Sequence, residues 1–287
     1  MVTKIERVGV VGSGLMGAGI AEVSARSGLD VLVSEVNAEA AEAGRKRITS
    51  SLDRAVQRGK LAEADRDAAL ANLRFTTDLG EFGDRQIVIE AIAENEQLKT
   101  GVFARLDEVL PAGAILASNT SSIPIAKLAA ATERPGQVLG VHFFNPVPVL
   151  KLVELVPSLL TGEDTVERAA AFATEQLGKQ TIRAKDRSGF IVNALLVPYL
   201  LSAVRMVEGG YATAEDVDNG MVLGCAHPMG PLRLADLVGL DTLKAIADSM
   251  HEEYGDPHYA APPLLRRMVE AGLKGKKSGR GFYDYSS

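Results

Sequence analysis

Cysteine is nearly absent from this chain, which has a single one, Cys225, among 287 residues. One cysteine excludes a disulfide within the chain and is typical of a reducing compartment, so we expect a cytoplasmic protein. The residues around it lack the cysteine and histidine spacing of a metal centre, and we predict no metal site. The surrounding segment, residues 223–226, is apolar or small, which predicts that the Cys225 side chain is buried.

Long apolar runs and an excess of positive charge are missing as well. No apolar run reaches the roughly 18 residues that span a bilayer, and the net charge of −6 gives no support for binding nucleic acid or a membrane surface. The first predicted strand begins near Arg7, which leaves no room before it for a signal peptide. We therefore expect a soluble protein with no nucleic-acid or membrane partner.

What the chain does contain is enough material for two domains, with 46% hydrophobic and 24% charged residues, as in ordinary globular proteins. Short apolar runs alternate with helical patterns over the first two thirds. Two strands are predicted within residues 5–35, and further ones at 74–77, 87–91, 114–118, 138–144 and 150–156. This alternation predicts an α/β fold with a mostly parallel sheet covered by helices on both faces.

The pattern changes after about Ser188, where no further strand is predicted. Helices are predicted at 190–208, with a kink at Pro198, and at 213–223, 232–236, 242–254 and 263–271. We therefore predict one domain of residues 1–187 and an all-helical domain of residues 188–287. Apolar helix positions such as Leu195 and Leu200 make the second domain a candidate for dimerisation, and packing within the chain explains them equally well.

A glycine-rich turn with its flanking elements stands at the start of the chain. Residues 8–35 predict a strand, a Gly-x-Gly-x-x-Gly turn, a helix, a second strand and a final acid, Glu35. Gly12 permits the tight turn, Gly14 leaves room for a pyrophosphate, and Gly17 lets the helix lie close to the strand. The Glu35 carboxylate is expected to accept hydrogen bonds from ribose hydroxyls and to repel a 2′-phosphate, which favours NAD over NADP.

The polar stretch of residues 38–72 is longer than one crossover helix requires, and it predicts a helical hairpin with its turn near Gly59. Its first arm, residues 45–60, carries six basic residues against one acid. Arg47, Arg54 and Arg58 fall on one helix face. A basic face beside a nucleotide fold suggests a second phosphate-bearing ligand, whereas a solvated charged helix is the plainer interpretation.

A histidine and a glutamate, His142 and Glu154, flank the loop of residues 145–148. A chain reversal centred near Pro148 would bring the two side chains opposite each other on one face of a sheet. A carboxylate bonded to one imidazole nitrogen fixes the tautomer and stabilises the protonated ring. The pair therefore predicts a general base for alcohol oxidation, against the alternative of a structural histidine.

Hydroxyl groups cluster at the carboxyl end of a predicted strand, in the run Ser118-Asn119-Thr120-Ser121-Ser122. Ligands bind at this edge of open α/β sheets, so these hydroxyls are candidates to bond a substrate oxygen. The run also fits a turn with helix-capping residues. Asn193, near the start of the long helix after Ser188, is a candidate to reach a cleft between the two domains.

Several motifs together give the chain a clear family resemblance over essentially its whole length. They are residues 12–17 (GSGLMG), 118–122 (SNTSS), 142–148 (HFFNPVP), 189–193 (GFIVN), 227–231 (HPMGP) and 276–283 (KKSGRGFY). With these motifs the sequence closely resembles the short-form L-3-hydroxyacyl-CoA dehydrogenases, and most of all their bacterial 3-hydroxybutyryl-CoA branch. The resemblance implies a Rossmann-type dinucleotide-binding domain with a helical-hairpin insertion and an all-helical C-terminal domain that forms a homodimer.

The resemblance also implies a role for each matching residue. His142 is the expected general base, Glu154 its orienting partner, and Ser121 and Asn193 the residues that hold the substrate. The residues expected to bind NAD are Gly12, Gly14, Leu15, Met16, Gly17, Glu35, Glu94, Lys99, Ser121, Asn145 and Lys277. The residues expected to bind the CoA portion of an acyl-CoA substrate are Ser51, Arg54, Arg58 and Ser121.

Two other functions compete with an NAD-dependent 3-hydroxyacyl-CoA dehydrogenase. One is a dehydrogenase of a free hydroxy acid or sugar acid, like the lambda-crystallin-related gulonate dehydrogenases, which would have no use for a CoA-binding arm. The other is a non-enzymatic NAD-binding protein. An intact set of His142, Glu154, Ser121 and Asn193 argues against the second alternative, because a structural role does not require it.

Overall fold

The computed structural model describes residues 4–286, so the ends of the predicted domains at residues 1–3 and 287 lie outside the described residues. The chain divides into two compact units, of which the first ends at Asp186 and the second begins at Arg187.

The first unit is built on one sheet of eight strands. They are β1 (Arg7–Val11), β2 (Asp30–Ser34), β3 (Leu73–Thr76), β4 (Ile87–Glu90), β5 (Ile115–Ser118), β6 (Val138–Phe143), β7 (Leu152–Pro157) and β8 (Gln180–Arg183). Their order is β3-β2-β1-β4-β5-β6-β7-β8, and every neighbouring pair is parallel except β6 with β7. The predicted mostly parallel sheet is confirmed, with one strand, β8, that the sequence analysis missed.

The helices of this unit are α1 (Leu15–Arg26), α2 (Ala38–Gln57), α3 (Glu63–Ala71), α4 (Glu96–Val109), α5 (Ile125–Ala129) and α6 (Glu163–Ala171). A π-helical turn, Phe172–Gln176, continues α6. The predicted hairpin is confirmed as α2 and α3, and Gly59, with φ +66°, lies between them in the left-handed region that favours glycine.

Helix α2 is attached to the core along one stripe. Gly44, Ile48 and Leu52 are its buried residues, and they follow one another at four-residue spacing. Burying one such aliphatic side chain contributes about 1.5–3 kcal/mol, so Ile48 and Leu52 hold an otherwise polar helix against the rest of the unit. Asn37 caps its N-terminus by accepting a hydrogen bond from the Ala40 amide at 2.8 Å.

The second unit is helical, as predicted. Its helices are α7 (Val192–Glu208), α8 (Ala214–Cys225), α9 (Pro231–Val238), α10 (Leu240–Tyr254) and α11 (Pro263–Glu270). Its core includes Leu200, Leu201, Leu243 and Met250, all at most 1% exposed. Helix α7 continues through Pro198. Within residues 4–286, no helix is long and apolar enough to cross a membrane.

One side-chain prediction was wrong. Cys225 is exposed rather than buried. It ends α8, directly before Ala226, whose φ of 56° is left-handed, and the neighbouring Leu223 is 83% exposed. The apolar neighbours in sequence do not bury Cys225 because the last turn of α8 does not pack into the core of this unit.

Candidate functional site

The glycine-rich turn between β1 and α1 requires glycine at two positions for steric reasons. Gly12 has φ +89°, and a Cβ there would lie 2.8 Å from the carbonyl oxygen of Ala91. A Cβ on Gly17 would lie 1.8 Å from the carbonyl oxygen of Gly12, which no real contact allows. Glycine at both positions lets α1 begin immediately after the strand and pack tightly on the turn.

Gly14, the residue before α1, is not explained by packing. A Cβ there would meet no atom within 4 Å. Among the described residues, no side chain caps the N-terminus of α1, so its first amide groups have no side-chain acceptor. Backbone that an anion can approach, at the positive end of a helix, suits a pyrophosphate. The turn therefore fits the dinucleotide that its sequence predicts.

Glu35 follows β2 directly and braces the same turn. Its Oε1 accepts hydrogen bonds from the Ser13 amide at 2.5 Å and from Ser13 Oγ at 2.8 Å. Arg47 of α2 donates through Nη1 to the Ser13 carbonyl oxygen at 2.7 Å. A carboxylate in this position, beyond the second strand, is suited to accept hydrogen bonds from ribose hydroxyls and to repel a 2′-phosphate.

A buried ion pair lies at the carboxyl ends of β4 and β5. Lys99 Nζ, from α4, donates to Glu90 Oε1 at 2.6 Å, and both side chains are at most 1% exposed. Glu90 also accepts from Ser118 Oγ at 2.6 Å and from the Ile92 amide at 2.7 Å. Buried charges are tolerated when they are paired and fully hydrogen-bonded, and both Glu90 oxygens meet that condition.

Glu94 connects this ion pair to the hydroxyl-rich run. It forms an ion pair with Lys99 at 3.2 Å and accepts hydrogen bonds from Thr120 Oγ1, from the Ser121 amide at 3.2 Å and from Ser122 Oγ at 2.9 Å. Burial opposes its ionisation, but Lys99 and the hydroxyls outweigh that effect and hold the pKa of Glu94 below its usual range. Within residues 4–286 no protein group bonds Ser121 Oγ, so this hydroxyl remains available for a ligand.

His142 and Glu154 form the predicted pair. Antiparallel pairing of β6 with β7 sets them directly opposite each other, and 2.8 Å separates His142 Nδ1 from Glu154 Oε2. Glu154 is fully buried and His142 is 6% exposed. Since an ionised carboxylate only accepts, Nδ1 is the donor of this hydrogen bond. The Phe144 ring meets the imidazole edge to face at 4.6 Å between centroids.

Two supporting residues escaped the sequence analysis. Asn119, in the hydroxyl-rich run, accepts a hydrogen bond from the Phe143 amide at 2.8 Å and so fixes the end of β6 next to His142. Glu90 ends a buried strand and anchors Lys99. An acid that closes an otherwise apolar strand was a usable signal for Glu90, whereas the partner of Asn119 depends on the order of strands in the sheet.

The basic arm is partly occupied by contacts within the unit. Burial raises the pKa of Glu22 on α1, and the nearby Ser51, Arg26 and Arg54 oppose this shift only in part. Ser51 is half-buried, whereas Arg54 and Arg58 are exposed. Arg58 is the C-cap residue of α2, directly after its last residue. The exposed guanidinium groups are the part of this arm that a phosphate can reach.

The remaining predicted residues lie apart in sequence. Asn145 is exposed in the loop after β6. Asn193 occupies the first turn of α7 in the second unit and is half-buried. Lys277, also in the second unit, forms an ion pair with Asp241 at 2.5 Å. Among residues 4–286, no group of three or more His, Cys, Asp or Glu side chains is arranged to hold a metal ion.

Comparison with protein families gives one answer for both units. The model described as 3-hydroxyacyl-CoA dehydrogenase, NAD binding domain, matches residues 7–187. The model described as 3-hydroxyacyl-CoA dehydrogenase, C-terminal domain, matches residues 189–285.

Proteins of known identity match this sequence over nearly its full length. A 3-hydroxybutyryl-CoA dehydrogenase of Mycobacterium tuberculosis is 64% identical over 282 residues, which are 98% of this chain and 99% of that protein. The crystal structure of FadB2 from M. tuberculosis is 64% identical, with a TM-score of 0.98, and covers 99% of this chain and 100% of its own. The crystal structure of (S)-3-hydroxybutyryl-CoA dehydrogenase from Ralstonia eutropha is 44% identical, with a TM-score of 0.93 and the same coverage.

Proposed function

Since this chain belongs to the 3-hydroxyacyl-CoA dehydrogenase family, we propose that it oxidises (S)-3-hydroxybutyryl-CoA to the 3-oxoacyl-CoA, and catalyses the reverse reduction, with NAD as its cofactor. The observation that carries the assignment of the chemistry is the buried pair of His142 and Glu154, 2.8 Å apart. The relatives named 3-hydroxybutyryl-CoA dehydrogenase support the choice of acyl group.

In the oxidation, His142 takes the proton of the substrate hydroxyl at Nε2 while Nδ1 stays bonded to Glu154. Bound NAD⁺ supplies the acceptor for the hydride that leaves C3. The Glu154 carboxylate stabilises the charge that the ring gains, and in the reduction the protonated ring returns the proton to the substrate oxygen. Such acid–base terms contribute typically about 10²–10⁴ in rate.

Other residues bind and orient the ligands in this proposal. Ser121, whose amide is held by Glu94, bonds the substrate oxygen, and Asn193 helps to position the substrate. Exposed Arg54 and Arg58, with Ser51, attract the phosphates of CoA. The residues proposed to bind NAD are Gly12, Gly14, Leu15, Met16, Gly17, Glu35, Glu94, Lys99, Ser121, Asn145 and Lys277.

The same proposal covers the roles of the two domains, the compartment and the oligomeric state. The domain of residues 1–187 binds NAD, and the helical domain of residues 188–287 contributes to substrate binding and forms a homodimer. The protein works in the cytoplasm, in keeping with its single cysteine. Exposed apolar side chains on the helical unit, such as Leu195 at 73% and Leu223 at 83%, support the dimer, which analytical ultracentrifugation tests directly.

The deciding experiment follows the loss of NADH absorbance with acetoacetyl-CoA, in parallel with NADPH and with free acetoacetate. We expect rapid turnover only with NADH and acetoacetyl-CoA together. Turnover of free acetoacetate would instead favour a dehydrogenase of free hydroxy acids. NADH binding without turnover of any acyl-CoA would favour a non-enzymatic NAD-binding protein.

A further inference from the structure

Lys179 is a buried cation that the mechanism above does not use. It lies just before β8 and is only 8% exposed. Its Nζ donates to the carbonyl oxygens of Val147 at 2.5 Å and of Leu150 at 2.8 Å. Within residues 4–286 it forms no ion pair with a carboxylate. Burial, and the nearby charge of Arg26, lower the pKa of Lys179.

A buried ammonium group without a carboxylate partner is costly, so its position requires a reason. Both of its acceptors belong to the loop of residues 144–151, which joins the strand of His142 to the strand of Glu154. Inside that loop the amides of Val149 and Leu150 donate to the Pro146 carbonyl oxygen at 2.9 and 3.0 Å. Lys179 therefore supplies the donors that the loop cannot supply for itself.

The same loop packs against the helix that follows the glycine-rich turn. Val147 is 2% exposed. It lies so close to α1 that a Cβ added to Gly19 would be 2.8 Å from the Cβ of Val147. Lys179 thus bonds the backbone of a residue whose side chain touches α1. One end of this loop leads to His142 and the other to Glu154, and Asn145 stands on it exposed.

We propose that Lys179 is a positioning residue: it docks the loop of residues 144–151 against α1 and thereby sets the distance between the dinucleotide turn and the His142–Glu154 pair. The inference rests on the proposed function, because a fixed distance between cofactor and base matters only if hydride and proton leave the same substrate. A misplacement of about 1 Å far from the reacting atoms can cost about a hundredfold in rate.

The test replaces Lys179 by methionine, which keeps the length of the side chain and removes its donors. We expect kcat for acetoacetyl-CoA reduction to fall about 10- to 100-fold, with KM for acetoacetyl-CoA and the stoichiometry of NADH binding unchanged. Lys185→Met is the matched control, since Lys185 is an exposed lysine of the same segment, and it should keep full activity. A merely structural role would lower the bound NADH in proportion to kcat.

Hydrogen exchange gives a readout that does not depend on turnover. In Lys179→Met the amides of Val149 and Leu150 should exchange faster, while those of the β6–β7 ladder stay protected. Slow exchange in the loop, or a kcat like that of wild type, would overturn the proposal. If the wild type itself reduces no acyl-CoA, the proposed function fails, and the exchange data still decide whether Lys179 docks the loop.

A second variant covers the case in which Lys179→Met does not fold. Val147→Ala keeps the lysine and removes the side-chain contact with α1. It should show the same pattern of lowered kcat, unchanged KM for acetoacetyl-CoA and full NADH stoichiometry. An unaltered kcat in Val147→Ala would contradict the proposal, because docking against α1 would then have no effect on the chemistry.

Discussion

Replacement of Glu154 by glutamine tests the central feature of the site, its buried carboxylate. The carboxylate oxygen lies 2.8 Å from His142 Nδ1, and the side chain is fully buried. Glutamine has the same shape, and its amide oxygen can still accept the hydrogen bond that Nδ1 donates. The substitution therefore keeps the tautomer and the orientation of the ring and removes only the negative charge.

The expected size of the effect follows from that single difference. A hydrogen bond to a charged group contributes about 1.5–3 kcal/mol, against about 0.5–1.5 kcal/mol for a neutral one. Because both side chains are buried, solvent screens the pair little, and we expect a loss of about 1.5–2 kcal/mol from the state with a protonated ring. At 1.36 kcal/mol per factor of ten, kcat should fall about 10- to 30-fold.

The assay is NAD⁺ reduction at saturating (S)-3-hydroxybutyryl-CoA, the direction in which the ring gains its proton, with NADH affinity measured separately by fluorescence. Glu163→Gln is the control, because Glu163 pairs with Arg183 at 2.6 Å in an exposed ion pair, and it should keep the wild-type kcat. In a His142→Gln background, Glu154→Gln should add no further loss, since it acts only through the ring. An unchanged kcat in the single variant, or additive losses in the double one, would refute the reasoning.

Three further predictions concern the glycine-rich turn, the basic arm and the dependence of stability on acid pH. Gly17→Ala should lower both the melting temperature and the affinity for NADH, because its Cβ would lie 1.8 Å from a carbonyl oxygen. Gly14→Ala, whose Cβ would enter open space, should lower the affinity for NADH alone. Equal melting temperatures for the two variants would contradict this prediction. Arg54→Ala and Arg58→Ala should raise KM for acetoacetyl-CoA without changing NADH affinity. An unchanged KM in both variants would instead favour the interpretation of the arm as a solvated charged helix. Folding lowers the pKa of Glu94, so its contribution to stability is complete above the ordinary value of 4.5 and is lost as the pH falls through the lower folded value. Glu94→Gln should therefore make the free energy of unfolding less dependent on pH in the acid range. If urea titrations give the same pH dependence for the variant and the wild type, the prediction is wrong.

Local patterns carried much of the fold and the centre of the candidate site. The side-chain period of a strand and one short loop were enough to predict that His142 and Glu154 face each other, because a reversal near Pro148 fixes the register of a hairpin. The helical hairpin was predictable from its length and from Gly59. The glycine turn was predictable because Gly12 and Gly17 meet local steric demands and Gly14 leaves its backbone open to a ligand.

Features that depend on long-range packing were not predictable. Strand β8 has the sequence Gln-Thr-Ile-Arg, which contains no apolar run. It lies at the edge of the described sheet, where β7 is its neighbour. Cys225 was expected to be buried from its neighbours in sequence, yet the end of α8 is exposed. The partners of Lys99 and Lys179 come from residues up to 32 positions away, and no periodicity specifies them.

The distribution of buried charge separates the two edges of the sheet. At the amino edge, the buried Arg85 pairs with Asp30 and Asp84, whose side chains are 42% and 49% exposed, so water shares the cost of that charge. At the carboxyl edge, Glu90 and Lys99 are both buried and pair directly, and Glu94 forms a second ion pair with Lys99. A fully buried pair adds little to stability compared with apolar residues of similar volume. Stability alone therefore does not explain why these ions stand at the carboxyl edge, whereas the binding site for NAD and substrate that we propose there does.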